Sequence, residues 1–160
     1  MKIIRVDSMT GTPLRASLMT DSAIRPDRRP LFLPDGDWMC EIRPAVRIDR
    51  LGKAISAEFA GRYYDNFALV NYLRPADESN DIRLDMMDDA IVAGGWTSLE
   101  NMPCAAEIDT EALDSLIEYL SKNVTFKTGD IIILPYITET YKPFINQHIK
   151  VQELLEFTIK

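Results

Sequence analysis

The chain has 160 residues, of which 46% are hydrophobic, and it carries a net charge of −7. A chain of this length and composition can bury one sizeable core without disulfides or metal ions, so we expect a single domain over residues 1–160. Residues 1–62 carry 11 basic and 8 acidic groups, whereas residues 63–120 carry 2 and 13. This acidic centre argues against a nucleic-acid partner, because binding a phosphate backbone requires a basic surface.

No apolar run has the length of a signal peptide core or a membrane span, since Arg5 and Asp7 interrupt the apolar start of the chain. We therefore expect a cytoplasmic protein without a membrane partner. The two cysteines, Cys40 and Cys104, lack CxxC spacing. They are expected to be buried free thiols, and neither a disulfide framework nor a zinc site is indicated.

The first half of the chain predicts a loop-rich segment followed by strand, helix and strand. Residues 1–37 form that segment, because proline and polar residues interrupt its short apolar stretches. Alternating apolar residues over 39–48 predict a strand, in which Pro44 indicates an edge, a bulge or a break. Aromatic residues at helical spacing predict a helix over 57–66, and the apolar run 67–73 predicts a buried strand.

Acidic residues are concentrated between Asp77 and Asp89. We interpret this stretch as a solvated connecting segment and not as a calcium loop, because it lacks the glycine and the closing glutamate of an EF-hand.

The second half predicts one clear helix and further strands. Apolar residues at i, i+3, i+4 and i+7 predict a helix over 110–122, with a cap from Asp109 or Thr110. Residues 90–93 predict a short strand, residues 131–134 a central strand, and residues 144–160 one or two strands that complete the sheet. The pattern indicates a mainly β (α+β) domain with two principal helices and no internal repeat.

Two segments of the chain combine these elements with short motifs. The first runs from the strand 39–48 through Gly52-Lys53 to Val70-Asn71-Tyr72. The second comprises the helix 111–122 and the following Gly129-Asp130-Ile-Ile-Ile run. In this order they resemble the catalytic C-terminal domain of the fumarylacetoacetate hydrolase family. The resemblance implies the family's mixed β-sandwich roll and a homodimer.

The resemblance also implies a site whose carboxylates have been exchanged. Members of the family are mostly Mg²⁺- or Mn²⁺-dependent enzymes acting on β-keto or acylpyruvate-type acids, with a metal held by Glu-x-Glu and an aspartate on the next strand. The corresponding residues here are Glu41, Arg43 and Tyr72. An arginine repels a divalent ion at close range, so the comparison predicts no metal cofactor and a pair between Glu41 and Arg43.

Other features of the family's site are also exchanged. The lysine that stabilises an oxyanion corresponds to Gly94, and Leu134-Pro135-Tyr136-Ile137 replaces a Thr-Gly-Thr-Pro turn. The single histidine, His148, is interpreted as a surface or interface residue and not as a general base. The predicted pocket consists of Glu41, Arg43, Asn71, Tyr72 and Trp96.

Three hypotheses follow. The first is a divergent domain of this fold that lacks metal-dependent catalysis and acts as a binding or structural protein, with a small carboxylate as a possible ligand. The second is an active hydrolase, decarboxylase or isomerase with an altered site, which would use Mg²⁺ or Mn²⁺ or bind a carboxylate substrate through Arg43. The third is an unrelated β-rich interaction module.

Overall fold

The computed structural model of the protein describes residues 1–9, 15–77 and 83–160. Strands make up most of its regular structure, as the sequence predicts, and three short 3₁₀ helices lie in the connections. The strands are β1 (Ile3–Val6), β2 (Ala16–Met19), β3 (Ile24–Pro26), β4 (Trp38–Ile48), β5 (Tyr64–Pro75), β6 (Ile91–Ala93), β7 (Ile131–Ile133), β8 (Glu139–Tyr141), β9 (His148–Val151) and β10 (Leu155–Thr158). The helices are α1 (Ala57–Ala60), α2 (Arg83–Met86) and α3 (Thr110–Ser121).

Eight of these strands form one mixed sheet with the order β2-β1-β7-β4-β5-β6-β3, in which β8 also pairs with β4. The long strands β4 and β5 run antiparallel through its centre. One face packs against α3 and β10 and forms the larger core, and a smaller apolar cluster lies on the other face. The predicted mainly β (α+β) fold is therefore confirmed.

The helix predicted over 110–122 is confirmed as α3. Its predicted cap is also present, since the Asp109 carboxylate accepts the backbone N–H groups of Glu111 and Ala112 at 3.0 and 3.1 Å. Leu113, Ile117 and their apolar neighbours on one side of α3 are buried, as the spacing requires.

The helix predicted over 57–66 is wrong in its second half, because α1 ends at Ala60. The chain enters β5 at Tyr64, which pairs with Ile48 of β4. Aromatic spacing alone does not separate a helix from a helix followed by a strand, and here pairing with β4 prevails over the local pattern.

Pro44 marks a break in pairing on one side of β4, between the partners β7 and β8, and not a break or bulge in the strand itself. Pro44 lies opposite Leu69 within an inner strand, without a register shift at that point. Its carbonyl accepts the N–H of Leu134, just beyond β7. A strand residue points its nitrogen and its carbonyl to the same side, so the missing N–H faces the gap where β7 has ended and β8 has not yet begun.

Two further expectations need correction or restriction. Residues 144–160 do form two strands, but β9 and β10 pair with each other as a separate two-stranded sheet. Of the acidic stretch 77–89, residues 78–82 lie outside the described residues, as do residues 10–14 of the loop-rich segment.

Both cysteines are free and buried, as predicted. Within the described ranges, no helix is long and apolar enough to cross a membrane.

Candidate functional site

Strand alternation brings three of the predicted pocket residues onto one face of the sheet. Glu41 and Arg43 lie two residues apart on β4, so their side chains leave the same face. Tyr72 of β5 lies directly opposite Glu41 in the antiparallel register. The exposed fractions are 3% for Glu41, 7% for Arg43 and 1% for Tyr72.

Both carboxylate oxygens of Glu41 are engaged by guanidinium groups. Nε of Arg43 donates to Oε2 of Glu41 at 2.7 Å, and Nη2 of Arg43 contacts the same oxygen. Nε of Arg74 donates to Oε1 at 2.6 Å. These charge-assisted bonds fix the Arg43 side chain in the site.

One donor of Arg43 lacks an acceptor. Its Nη1 is buried and finds no hydrogen-bond partner among the described residues. A buried donor without a partner costs free energy, which an entering acceptor would recover.

A second arginine approaches Tyr72 from β1. Nη1 of Arg5 donates to the Tyr72 hydroxyl at 2.5 Å. The guanidinium carbons of Arg5 and Arg43 lie 5.4 and 5.7 Å from the centre of the Tyr72 ring, within the range of cation–π attraction. Burial raises the pKa of Tyr72 to about 12, while the two positive charges act in the opposite direction. The phenol is therefore neutral at physiological pH.

These side chains line a cleft of about 420 Å³, which we call the arginine cleft. Its positively charged lining residues outnumber its acidic ones by three to two, and Pro135 and Ile137 close one side. The lining residues are Arg5, Asp7, Arg15, Glu41, Arg43, Tyr72, Pro135 and Ile137.

The other two predicted pocket residues lie elsewhere. Asn71 leaves the opposite face of β5, where its amide donates to Cys40 Sγ at 3.5 Å and accepts from the Tyr141 hydroxyl at 2.6 Å. Trp96 lines a separate cleft beside Arg47. The structure therefore does not bring Asn71 and Trp96 into the arginine cleft.

Five charged participants were not predicted from the sequence: Arg5, Asp7, Arg15, Arg74 and Asp85. Asp85 belongs to the stretch interpreted as solvated, yet its Oδ1 lies 3.3 Å from Nη1 of Arg5. A usable signal existed for Arg5, since one arginine within the apolar run Ile3–Val6 is typical of a buried strand that carries a functional charge.

As predicted, His148 is an exposed surface residue, and its Nε2 lies 3.2 Å from Oε1 of Glu156.

The residues of the arginine cleft do not fit a divalent metal ion. Mg²⁺ and Mn²⁺ need several oxygen ligands, usually including more than one carboxylate. The cleft has two carboxylates, and both face guanidinium groups: Glu41 has one on each oxygen, and Oδ1 of Asp7 lies 3.2 Å from Nε of Arg5. Among the described residues, no three His, Cys, Asp or Glu side chains are arranged to hold a metal.

Comparison with known proteins identifies the fold. No family model and no curated protein matches the sequence. Among solved structures, a 5-carboxymethyl-2-hydroxymuconate delta-isomerase from Mycobacterium smegmatis superposes with a TM-score of 0.79 at 18% identity, covering 99% of this chain and 75% of its own. A 2-hydroxyhepta-2,4-diene-1,7-dioate isomerase from Mycobacterium marinum gives 0.79 at 17%, covering 99% and 73%.

A protein assigned to the fumarylacetoacetate hydrolase family, from Yersinia pestis, gives a TM-score of 0.77 at 16% identity and covers 99% of this chain and 92% of its own. The chain therefore has a fumarylacetoacetate-hydrolase-like fold, as the resemblance of its sequence implied. Identities this low establish the fold alone.

Proposed function

We propose that this domain has exchanged metal-dependent chemistry for the direct binding of a small carboxylate in the arginine cleft. The observation that carries the proposal is the Arg43 guanidinium. It is buried, it is fixed by Glu41, and its Nη1 has no acceptor among the described residues. A ligand carboxylate in the cleft would supply that acceptor.

The charges of the cleft favour a ligand with one carboxylate. Arg5, Arg15 and Arg43 line it together with Asp7 and Glu41. Arginines therefore outnumber acidic side chains by one within the lining, and Arg74 and Asp85 add one charge of each sign beside it. A single carboxylate balances this excess, whereas a second would have to lie near two acidic side chains.

The same geometry supports binding more than catalysis. A general acid or base works best when its pKa lies near the working pH, whereas burial raises the pKa of Tyr72 to about 12. Another carboxylate of the lining, Glu41, has both oxygens engaged by arginines. Tyr72 is therefore not prepared to give up a proton near neutral pH, and Glu41 has no free oxygen that faces the cleft without an arginine partner.

Isothermal titration calorimetry with acetate, pyruvate and malonate tests the proposal on the wild-type chain and on Arg43→Lys. Lysine keeps the positive charge beside Glu41 but has no second nitrogen at the position of Nη1. Because a hydrogen bond to a charged group contributes about 1.5–3 kcal/mol, we expect Arg43→Lys to weaken binding of the monocarboxylates by about tenfold or more.

Arg50→Lys is the matched control, since the Arg50 side chain is 65% exposed and pairs only with the neighbouring Asp49 among the described residues. It should bind as the wild type does. Equal affinities of Arg43→Lys and Arg50→Lys, or no heat from any of the three acids with the wild type, would refute the proposal.

The homodimer and the cytoplasmic location stay predictions. Light scattering coupled to size exclusion measures the first, and a value of one chain mass would contradict it. Fractionation of cells that express the chain checks the second.

A further inference from the structure

A second cleft on the same sheet face lies toward the other end of β4. Arg43 and Arg47 both point to this face and are four residues apart, roughly 13 Å along a strand. Between them on β4 lies Ala45, whose partner on β7 is Ile133, and both side chains are buried. The second cleft, of about 410 Å³, is therefore separate from the arginine cleft, and we call it the tryptophan cleft.

Two incompletely paired arginines line the tryptophan cleft. Within the described parts of the chain, the Arg47 guanidinium has no hydrogen bond or ion pair, and its carbon lies 4.8 Å from the centre of the Trp96 ring. Arg25 reaches Asp89 only at 3.7 Å, and its Nε is buried without an acceptor in those same parts. Both guanidinium groups therefore retain donors for an anion.

The remaining walls are mostly apolar, and the one acidic side chain in the lining is engaged. Ile24, Pro26, Ala93 and Ile131 contribute to the surface of the cleft. Oδ2 of Asp27 accepts the backbone N–H of Glu156 at 3.3 Å. A ligand that fits needs an anionic group for the arginines and an apolar body for the rest of the surface.

Backbone hydrogen bonds hold the segment that carries Trp96 in place. Thr97 exchanges two hydrogen bonds of 2.7 Å with Phe67 of β5, and the N–H of Gly95 donates to the carbonyl of Leu154 at 2.8 Å. A Cβ at Gly94 would lie 1.9 Å from that same carbonyl oxygen, so the segment approaches Leu154 as closely as a glycine permits. The backbone that carries the indole is thus held in place, and the indole offers a flat apolar surface beside Arg47.

We propose that the tryptophan cleft binds a small aromatic carboxylate, whose carboxylate pairs with Arg47 and Arg25 and whose ring packs on Trp96 and the apolar wall. The site is independent of the carboxylate proposed for the arginine cleft. It takes a different ligand class, because it offers an indole and four apolar residues, Ile24, Pro26, Ala93 and Ile131, beside its two arginines.

Benzoate is the probe, with acetate and inorganic phosphate as comparison anions. The chain contains two tryptophans, Trp38 and Trp96, of which Trp38 is 3% exposed, so benzoate should change the fluorescence of Trp96. Trp96→Phe identifies that signal by removing it. Calorimetry on the same variant measures binding without the fluorophore.

Arg47→Gln should weaken benzoate binding by about ten- to a hundredfold, because it removes a charged donor. Arg62→Gln is the matched control, since Arg62 also lies over an aromatic ring, 4.7 Å from the centre of Phe59, but outside the cleft. Arg43→Lys should bind benzoate as the wild type does, which separates this site from the arginine cleft. Circular dichroism verifies the fold of each variant, and Arg47→Lys is a second variant that keeps the charge.

Three results would overturn the proposal. The first is an absence of benzoate binding to the wild type. The second is equal affinity of Arg47→Gln and Arg62→Gln for benzoate. The third is phosphate or acetate binding as tightly as benzoate, which would make the cleft a general anion site.

Discussion

Replacing Glu41 with glutamine removes the negative charge that pairs with Arg43 and Arg74, while it keeps the shape of the side chain. Glu41 is 3% exposed, and its two oxygens lie 2.7 and 2.6 Å from the Nε atoms of these arginines. The substitution leaves Arg43, itself 7% exposed, without a charged partner among the described residues.

Removing one partner of a buried ion pair costs about 3–5 kcal/mol, because the other charge stays buried without compensation. In a domain of this size, each kcal/mol lowers the melting temperature by about 2–4 °C. We therefore expect Glu41→Gln to lower the melting temperature by roughly 6–20 °C. Adding Arg43→Met should recover part of this loss, since it removes the uncompensated charge.

Urea unfolding followed by circular dichroism measures the free energies, with Glu153→Gln as the control. Glu153 pairs with Lys150 on the surface, and its side chain is 88% exposed, so its removal should cost less than about 1 kcal/mol. The prediction is refuted if Glu41→Gln destabilises the chain no more than Glu153→Gln does. It is also refuted if Arg43→Met lowers the free energy of unfolding of the Glu41→Gln variant by as much as it lowers that of the wild type.

Three further predictions concern the positions that correspond to the family's metal ligands, the Tyr72 phenol, and the close approach of Gly94 to Leu154. Arg43→Glu combined with Tyr72→Asp should create measurable Mn²⁺ affinity by calorimetry, because three carboxylates would then converge; no heat from the folded variant would show that these positions do not form a cage. Burial raises the pKa of Tyr72 from 10.0 to about 12, so its stabilising contribution is complete below pH 10 and is lost as the pH rises toward 12. The free energy of unfolding should fall over that interval by up to about 3 kcal/mol more in the wild type than in Tyr72→Phe, and parallel pH curves would contradict this. Gly94→Ala should lower the melting temperature clearly more than Gly95→Ala, because the new Cβ would lie 1.9 Å from the Leu154 oxygen at the first position and 4.0 Å at the second.

The sequence predicts the centre of the arginine cleft in two ways. Residues 41 and 43 share a face in any regular strand, whereas Tyr72 is placed beside them by the resemblance to the fumarylacetoacetate hydrolase family, in which an aspartate of the next strand completes the metal site. Arg5 could not be placed in the same way. It lies 67 residues from Tyr72 in the chain, and its approach depends on β1 pairing with β7, a long-range contact that no local pattern encodes.

The misplaced residues have similar physical causes. Asn71 and Tyr72 are adjacent in the chain, so strand alternation sends them to opposite faces, and only one of them can belong to a given cleft. Trp96 follows β6 in an irregular segment, whose path is set by hydrogen bonds to Phe67 and Leu154. These tertiary contacts decide which cleft the indole lines.

The most direct test is a structure from crystals grown with both MnCl₂ and pyruvate, with diffraction recorded at the manganese absorption edge. It tests whether the arginine cleft binds a carboxylate in place of a metal ion. We expect a carboxylate within hydrogen-bonding distance of Arg43 Nη1 and no anomalous peak in contact with Glu41. An anomalous peak bound to the Glu41 carboxylate, with Arg43 displaced from it, would show that the metal site is functional and would contradict the account.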